Sequence, residues 1–289
     1  MSRLTERAPA KINLHLRILG RRADGYHDLE TLFQAIELHD TLEATPAGST
    51  SLHVEGDIDV GPVDHNLVLR AAQAFRDAVP GAPHVAFRLT KRIPSGAGLG
   101  GGSSDAAAAL RVMNALAGNP LEQGALRELG ATLGADVAFF LAGSTLASAI
   151  SRGDEVTPRE PLPAADVVVV DPGFPIATRD AFAWWDAAAP LENPHDEMPA
   201  QVRTFAALRG LVRNDFEEVV FARHPELARV RDVLATLGAD LAMLSGSGSC
   251  VFGVFERGAP VDGGERLVRA VVEDARVLYT RTLAEREAR

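Results

Sequence analysis

Residues 94–109 read Pro-Ser-Gly-Ala-Gly-Leu-Gly-Gly-Gly-Ser-Ser-Asp-Ala-Ala-Ala-Ala, and five of the nine residues from Gly96 to Ser104 are glycine. Glycine admits positive φ and lets a bulky anion approach the main chain. The alanine-rich stretch from Asp105 to Leu116 has helical character, and a helix start adds unpaired N–H groups and a positive dipole end. A flexible linker would not run between a β-like stretch, Val85 to Leu89, and a helix start marked by Ser103, Ser104 and Asp105. The expected structure is a phosphate cradle. Pro94, Ser95, Gly96, Ala97, Gly98, Leu99, Gly100, Gly101 and Gly102 would form its backbone. Ser103 and Ser104 would add hydroxyls for a phosphate oxygen or a metal-bound water.

Two familiar phosphate loops do not fit. The P-loop needs a lysine directly after its last glycine, but Ser103 follows Gly102 and no lysine lies downstream. Gly96-x-Gly98-x-x-Gly101 satisfies the dinucleotide pattern, yet Lys91-Arg-Ile-Pro94 separates it from the preceding strand. The region about 20 residues on, where that fold places an acidic strand end, looks helical.

Composition narrows the class. The 289 residues carry a formal net charge of -10, which argues against a nucleic-acid partner held on a basic surface. A single cysteine, Cys250, excludes an internal disulfide and thiolate clusters, and the scattered histidines show no zinc spacing. No apolar run is long enough to span a membrane and no signal-peptide core is visible, so a cytoplasmic protein is expected. The first 22 residues are basic, with Arg3, Arg7, Lys11, Arg17, Arg21 and Arg22 against Glu6. They form either a site for a polyphosphate or a solvated strand face. Among 29 Lys plus Arg, only Lys11 and Lys91 are lysine, and both flank motifs. Arginine does not replace lysine where a compact charge is needed.

Ala8 to Leu19 alternates with period two, setting Ile12, Leu14, Leu16 and Ile18 against Lys11, Asn13, His15 and Arg17. Gly20 to Tyr26 is a turn-rich loop. Further strands are expected at Thr31–Leu38, Thr41–Ala44, Ser51–Val54 and His84–Leu89, with a helix at Asn66–Ala78. Helices at Asp105–Ala117 and Leu121–Leu133 should stop at Gly118 and Gly134. After a strand at Ser144–Ile150, the stretch Arg152–Ala164 reads as a crossover. The later half should hold a strand at Val167–Val170 and a mobile loop at Glu192–Gln201. Helices should follow at Arg203–Leu211, Asp215–Arg223 and Pro225–Leu237, then a hairpin about Ser245–Ser249. Cys250–Phe255 and Val277–Thr282 close a sheet across a helix at Gly264–Asp274. The class is α+β in two lobes.

Phosphoryl transfer needs an aligned acceptor hydroxyl and a carboxylate to take its proton. Asp136, in Gly134-Ala-Asp-Val-Ala-Phe-Phe140, stands alone among apolar neighbours, and Lys11 is its natural cation. Local sequence also allows Asp136 to be an N-cap. Tyr26 and His27 suit a nucleobase, one stacking and one bonding its edge, although a tyrosine covering its own lobe fits the residues as well.

The pattern P-x-x-x-G-L-G-G-G-S-S-[DN]-A-A resembles the ATP loop of the GHMP kinases, the superfamily of galactokinase, homoserine kinase and mevalonate kinase. The likeness runs from Ala8 to about Phe255. It implies an N-terminal lobe like ribosomal protein S5, residues 1–155, and a C-terminal ferredoxin-like lobe, residues 156–289, with the site in the cleft between them. Ala-Lys-Ile-Asn-Leu14 resembles the family's lysine motif and Gly-Ala-Asp-Val-Ala-Phe-Phe140 its catalytic aspartate motif. Asp136 would then be the general base, with Lys11 holding it ionised. Gly25-Tyr-His27, followed by Thr31-Leu-Phe33, is similar to the segment of one branch that recognises cytosine and phosphorylates a cytidyl diphosphate alcohol in non-mevalonate isoprenoid synthesis. By the same likeness Asn13, Thr178 and Phe182 would meet that substrate, Phe182 stacking on the base. Ser245-Gly-Ser-Gly-Ser249 resembles the superfamily's third glycine motif, placing Gly246, Ser247 and Gly248 beside the acceptor. Asn66 and Lys91 would lie near the nucleotide, and Asn214-Asp-Phe-Glu217 would be structural. ATP and Mg²⁺ are implied by the reaction. Another GHMP kinase, for homoserine or mevalonate, or a non-catalytic regulator on the same fold, is the alternative. Two positions depart from the pattern. Asp28 adds a negative charge after Gly-Tyr-His, and Ser151 stands where a Gly-x-Gly-Glu turn has its first glycine.

Overall fold

The alternation after Ala8 becomes one long strand, β1 (Leu4–Arg21), in a computed structural model that describes residues 3–188, 202–259, 261 and 263–284. It outruns the expected Ala8–Leu19 because it pairs antiparallel along β2 (His27–Ala47) from Leu4↔Ala44 to Arg21↔His27. The segments expected as two strands, Thr31–Leu38 and Thr41–Ala44, are therefore one. What looked like a break is a bulge, where the register jumps from Pro9↔His39 to Ala10↔Ile36. The N–H of Leu38 leaves the ladder there and donates to Thr280 Oγ1 at 2.9 Å.

The first half continues with β3 (Ser51–Glu55), α1 (Leu67–Ala78), β4 (His84–Thr90), α2 (Gly101–Leu116), α3 (Gln123–Ala131), α4 (Ala135–Leu141), β5 (Leu146–Ile150) and β6 (Glu155–Pro158). The sheet order is β3-β4-β2-β5-β6 with β1 on β2, and only β3–β4 is parallel. Helix α2 begins four residues earlier than expected, because Gly100 takes φ +69° and starts the helix inside the glycine run. Arg152–Ala164 is not wholly irregular, since β6 pairs back on β5.

The second half holds β7 (Asp166–Asp171), α5 (Thr178–Ala188), α6 (Phe216–Arg223), α7 (Pro225–Thr236), β8 (Leu241–Leu244), β9 (Val251–Phe255), α8 (Gly264–Arg269) and β10 (Arg276–Arg281). Its antiparallel order, β10-β7-β9-β8, is that of a ferredoxin-like sheet. The helix expected at Arg203–Leu211 is a single 3₁₀ turn, Ala206–Leu208, followed by Gly210 at φ +76°. The helix expected at Gly264–Asp274 stops at Arg269. Most of the loop expected at Glu192–Gln201, and its end, lie outside the described residues.

Three apolar clusters follow from the alternation. One joins the first sheet to α1–α4 through Phe33, Leu42, Phe75 and Phe139. The second lies between the two sheets and unites Ile12, Leu14 and Ile36 with Val167, Val169 and Phe252. The third seats α6 and α7 on the second sheet through Phe216, Val220, Leu227 and Val230. The residues of opposite parity in β1, Lys11 and Asn13, are also buried, on the side occupied by the glycine loop and α4.

Candidate active site

A cavity of about 910 Å³ opens between the glycine loop, the start of β2, α5 and the β8–β9 turn. The loop is held from behind. The carbonyls of Gly96, Ala97, Gly98 and Leu99 accept from Ile176 N (3.3 Å), Cys250 N (3.2 Å), Lys11 Nζ (2.9 Å) and Lys11 N (2.9 Å). Four successive carbonyls are thus turned into the protein. The free N–H groups of the first turn of α2 are left to face the cavity. At Gly98, φ is +78° and a Cβ would sit 1.9 Å from the Ser245 carbonyl oxygen, so no side chain fits.

Every residue from Pro94 to Ser103 lines the cavity, but Ser104 does not. Because α2 starts at Gly101, Ser104 is already one turn inside the helix. Its N–H donates to Gly100 O at 2.9 Å and its side chain is fully buried. Asn66 lines the cavity as the N-cap of α1, its Oδ1 accepting from Val68 N at 2.9 Å. Lys91 borders the cavity beneath α2, with its ammonium bonded to Asp40 and, at 2.9 Å, to Asp105. Its charge is therefore met by protein carboxylates rather than left free for a nucleotide. Burial pushes the Asp105 carboxyl up to about 7, against the pull of Lys91. Burial also works to lower Lys91, but Asp105 and Asp40 outweigh it and hold the ammonium above its usual range.

Lys11 Nζ is the hub of the site. It donates to Asn13 Oδ1 at 2.6 Å and to Gly98 O at 2.9 Å, and lies 3.4 Å from Asp136 Oδ2. Asn13 is oriented in turn, because its Nδ2 donates to Thr31 Oγ1 at 2.9 Å. Asp136 is not an N-cap. Gly134 holds that place, and the partly exposed carboxylate of Asp136 borders the cavity from the first turn of α4.

Tyr26 is exposed, with the Arg152 guanidinium 5.4 Å from its ring centroid. His27 is buried, and Phe182 stacks on its ring at 4.4 Å and 10°. Thr178 Oγ1 bonds Ser247 Oγ at 3.1 Å, joining α5 to the Ser245–Ser249 turn. Gly246, Ser247 and Gly248 all line the cavity. The charge of Asp28 is met by Arg22 Nη1 at 2.8 Å, which also reaches Ser151 Oγ at 3.2 Å. Ser151 adopts φ +63°, so it bears the left-handed conformation that a glycine would take without strain.

Comparisons with known proteins place the chain in a family. The model of the GHMP kinases N terminal domain matches residues 66–144 and that of the GHMP kinases C terminal matches 198–273. A 4-diphosphocytidyl-2-C-methyl-D-erythritol kinase of Solibacter usitatus is 45% identical, covering 86% of this chain and 80% of its own. One of Desulfotalea psychrophila is 41% identical, covering 89% and 87%. The chain belongs to the GHMP kinases. A crystal structure of 4-(cytidine 5'-diphospho)-2C-methyl-D-erythritol kinase superposes with a TM-score of 0.77 at 36% identity, covering 96% of this chain and 99% of that one. Within the GHMP kinases the chain groups with these relatives.

In this GHMP kinase the Asn214–Glu217 segment fastens the third glycine motif. Asn214 Nδ2 donates to Leu244 O and Gly246 O, both at 2.8 Å, and Glu217 Oε1 accepts from Leu244 N at 2.8 Å. Asp215 ties the same segment to β1, its Oδ2 accepting from Ile18 N at 2.8 Å. Sequence reasoning missed several charged residues of the GHMP kinase cavity, among them Asp105, Arg152, Arg179 and Asp186. Asp186 had a usable signal, because it stands four residues beyond Phe182 and eight beyond Thr178 on one helix.

Proposed function

We propose that this GHMP kinase transfers the γ-phosphoryl group of ATP to the 2-hydroxyl of 4-diphosphocytidyl-2-C-methyl-D-erythritol, releasing the 2-phosphate and ADP. The reaction belongs to non-mevalonate isoprenoid synthesis, in the cytoplasm. The observation that carries this reading is the Lys11 ammonium, which joins the phosphate loop at Gly98 O to the Asp136 carboxylate 3.4 Å away. A cation shared by the anion cradle and a carboxylate is what in-line transfer to a hydroxyl requires.

Asp136 takes the hydroxyl proton as the oxygen attacks. Lys11 faces that carboxylate at 3.4 Å and offsets charge gathering on the transferred group. The loop amides from Gly96 to Ser103 hold the triphosphate, with Asn66 toward the nucleoside. Lys91 acts from behind by fixing the base of α2. Asn13, Thr178 and the turn Gly246–Gly248 seat the alcohol, while Tyr26, His27 and Phe182 take the cytosine. We divide the two lobes near residue 155. Among the described residues no group of three or more His, Cys, Asp or Glu could hold a metal. Ser103, a cradle hydroxyl that borders the cavity, would help to hold Mg²⁺, which would supply neutralisation of phosphate charge.

A coupled ADP-release assay with the cytidyl alcohol, homoserine and mevalonate tests this. Turnover is expected with the cytidyl alcohol alone. Turnover only with one of the other two would overturn the assignment.

A further inference from the structure

Helix α5 turns a stripe of residues four apart, Thr178, Phe182 and Asp186, toward the cavity. Thr178 and Phe182 meet partners already described. Asp186 Oδ1 lies 2.7 Å from His27 Nε2, and its Oδ2 lies 3.8 Å from Arg21 Nη1. The His27 ring is confined on two further sides, by the stacked face of Phe182 and by the edge of Trp185 at 5.8 Å and 88°. Its orientation is therefore set by packing.

Resting on the reading above, we propose that Asp186 is a positioning residue for the base, acting through His27 to favour cytosine over uracil. An ionised carboxylate only accepts hydrogen bonds, so Nε2 must carry the ring proton. In the neutral ring Nδ1 is then a lone pair, and it has no hydrogen-bond partner among the described residues. Cytosine offers an exocyclic amino group, a donor, which that lone pair can accept from. Uracil offers a carbonyl oxygen at the same place, leaving two lone pairs opposed. With the other tautomer, Nδ1 would be a donor and the preference would reverse. Arg21 places a positive charge 3.8 Å from the other carboxylate oxygen.

The test compares the cytidyl alcohol with its uridyl counterpart in steady state. Asp186→Ala should reduce the cytidyl-to-uridyl ratio of kcat/KM on the order of tenfold, through KM for the cytidyl substrate, with kcat within about twofold. Asp186→Asn should restore much of the ratio, because its side-chain oxygen still accepts from Nε2–H. A merely structural role would weaken both substrates alike. An unchanged ratio in Asp186→Ala, or no rescue by Asp186→Asn, overturns the inference while the kinase assignment stands. Failure of the unmodified protein to use the cytidyl alcohol removes both. Long-range ¹⁵N–¹H spectra give a readout independent of substrate. They should show His27 protonated at Nε2 alone, and a proton at Nδ1 alone would refute the proposal.

Discussion

One methyl group placed on Gly98 probes the contact between phosphate loop and β8–β9 turn. Gly98→Ala puts an L side chain at φ +78°, which costs about 1–2 kcal/mol. The new carbon would lie 1.9 Å from Ser245 O, where ordinary contact begins at 3.4 Å, so two main chains must part by about 1.5 Å. Overpacking of this kind costs about 1–3 kcal/mol, giving about 2–5 kcal/mol in all. For a chain of this size that is a fall in Tm of roughly 3–8 °C. Displacing Gly98 also carries its carbonyl away from Lys11 Nζ, now at 2.9 Å. Misplacement on the scale of an ångström costs about 100-fold in kcat. Thermal unfolding and steady-state ADP release measure both effects. Gly124→Ala is the matched control, since it lies in α3 with nothing within 4 Å of the added carbon. There the change should be neutral, or stabilising by about 0.5–1 kcal/mol. A Gly98→Ala protein with unaltered Tm and kcat would refute the reasoning.

Three other outcomes are expected. Asp136→Asn should lower kcat by about 10²–10⁴-fold with nucleotide affinity nearly unchanged, and near-normal turnover would remove Asp136 from the chemistry. Lys91→Met leaves Asp40 and Asp105 buried without their cation, so denaturant unfolding should show a loss of about 3–5 kcal/mol, against less than 1 kcal/mol if the pair is dispensable. Burial holds the folded Asp105 carboxyl at about 7, above its unfolded value of 3.8, so between the two folding takes up a proton and stability from this group is lost as pH rises toward 7. Asp105→Asn should flatten the pH dependence of unfolding between about pH 4 and 7, and an unchanged slope would show that Asp105 does not titrate there.

The sequence motifs located much of the cavity's lining because that lining is concentrated in backbone-dominated segments. Gly96–Gly102 must be glycine-rich for steric reasons that remain visible in one dimension. The alternation about Lys11 likewise announced which side chains share a face of β1. Contacts between distant segments were not legible. That Lys91 is engaged by Asp40 depends on a pairing 51 positions apart in sequence. Asp186 meets His27 across 159 positions. The His39–Asp40 break in β2 looked like a turn because a bulge and a turn both interrupt period two. Ser104 looked exposed because the start of α2 rests on the left-handed Gly100, a conformation that local composition permits but does not announce.

Strand β1 carries the Lys11 ammonium on one side and, on the other, Ile12 and Leu14 in the apolar layer shared with Val167, Val169 and Phe252. Removing any such side chain from its layer costs about 1.5–3 kcal/mol, so prising the two sheets apart would consume on the order of 10 kcal/mol, the whole stability of an ordinary domain. Substrates must therefore come and go without the two sheets parting. A guest is admitted with that shared layer intact, whatever else yields around it.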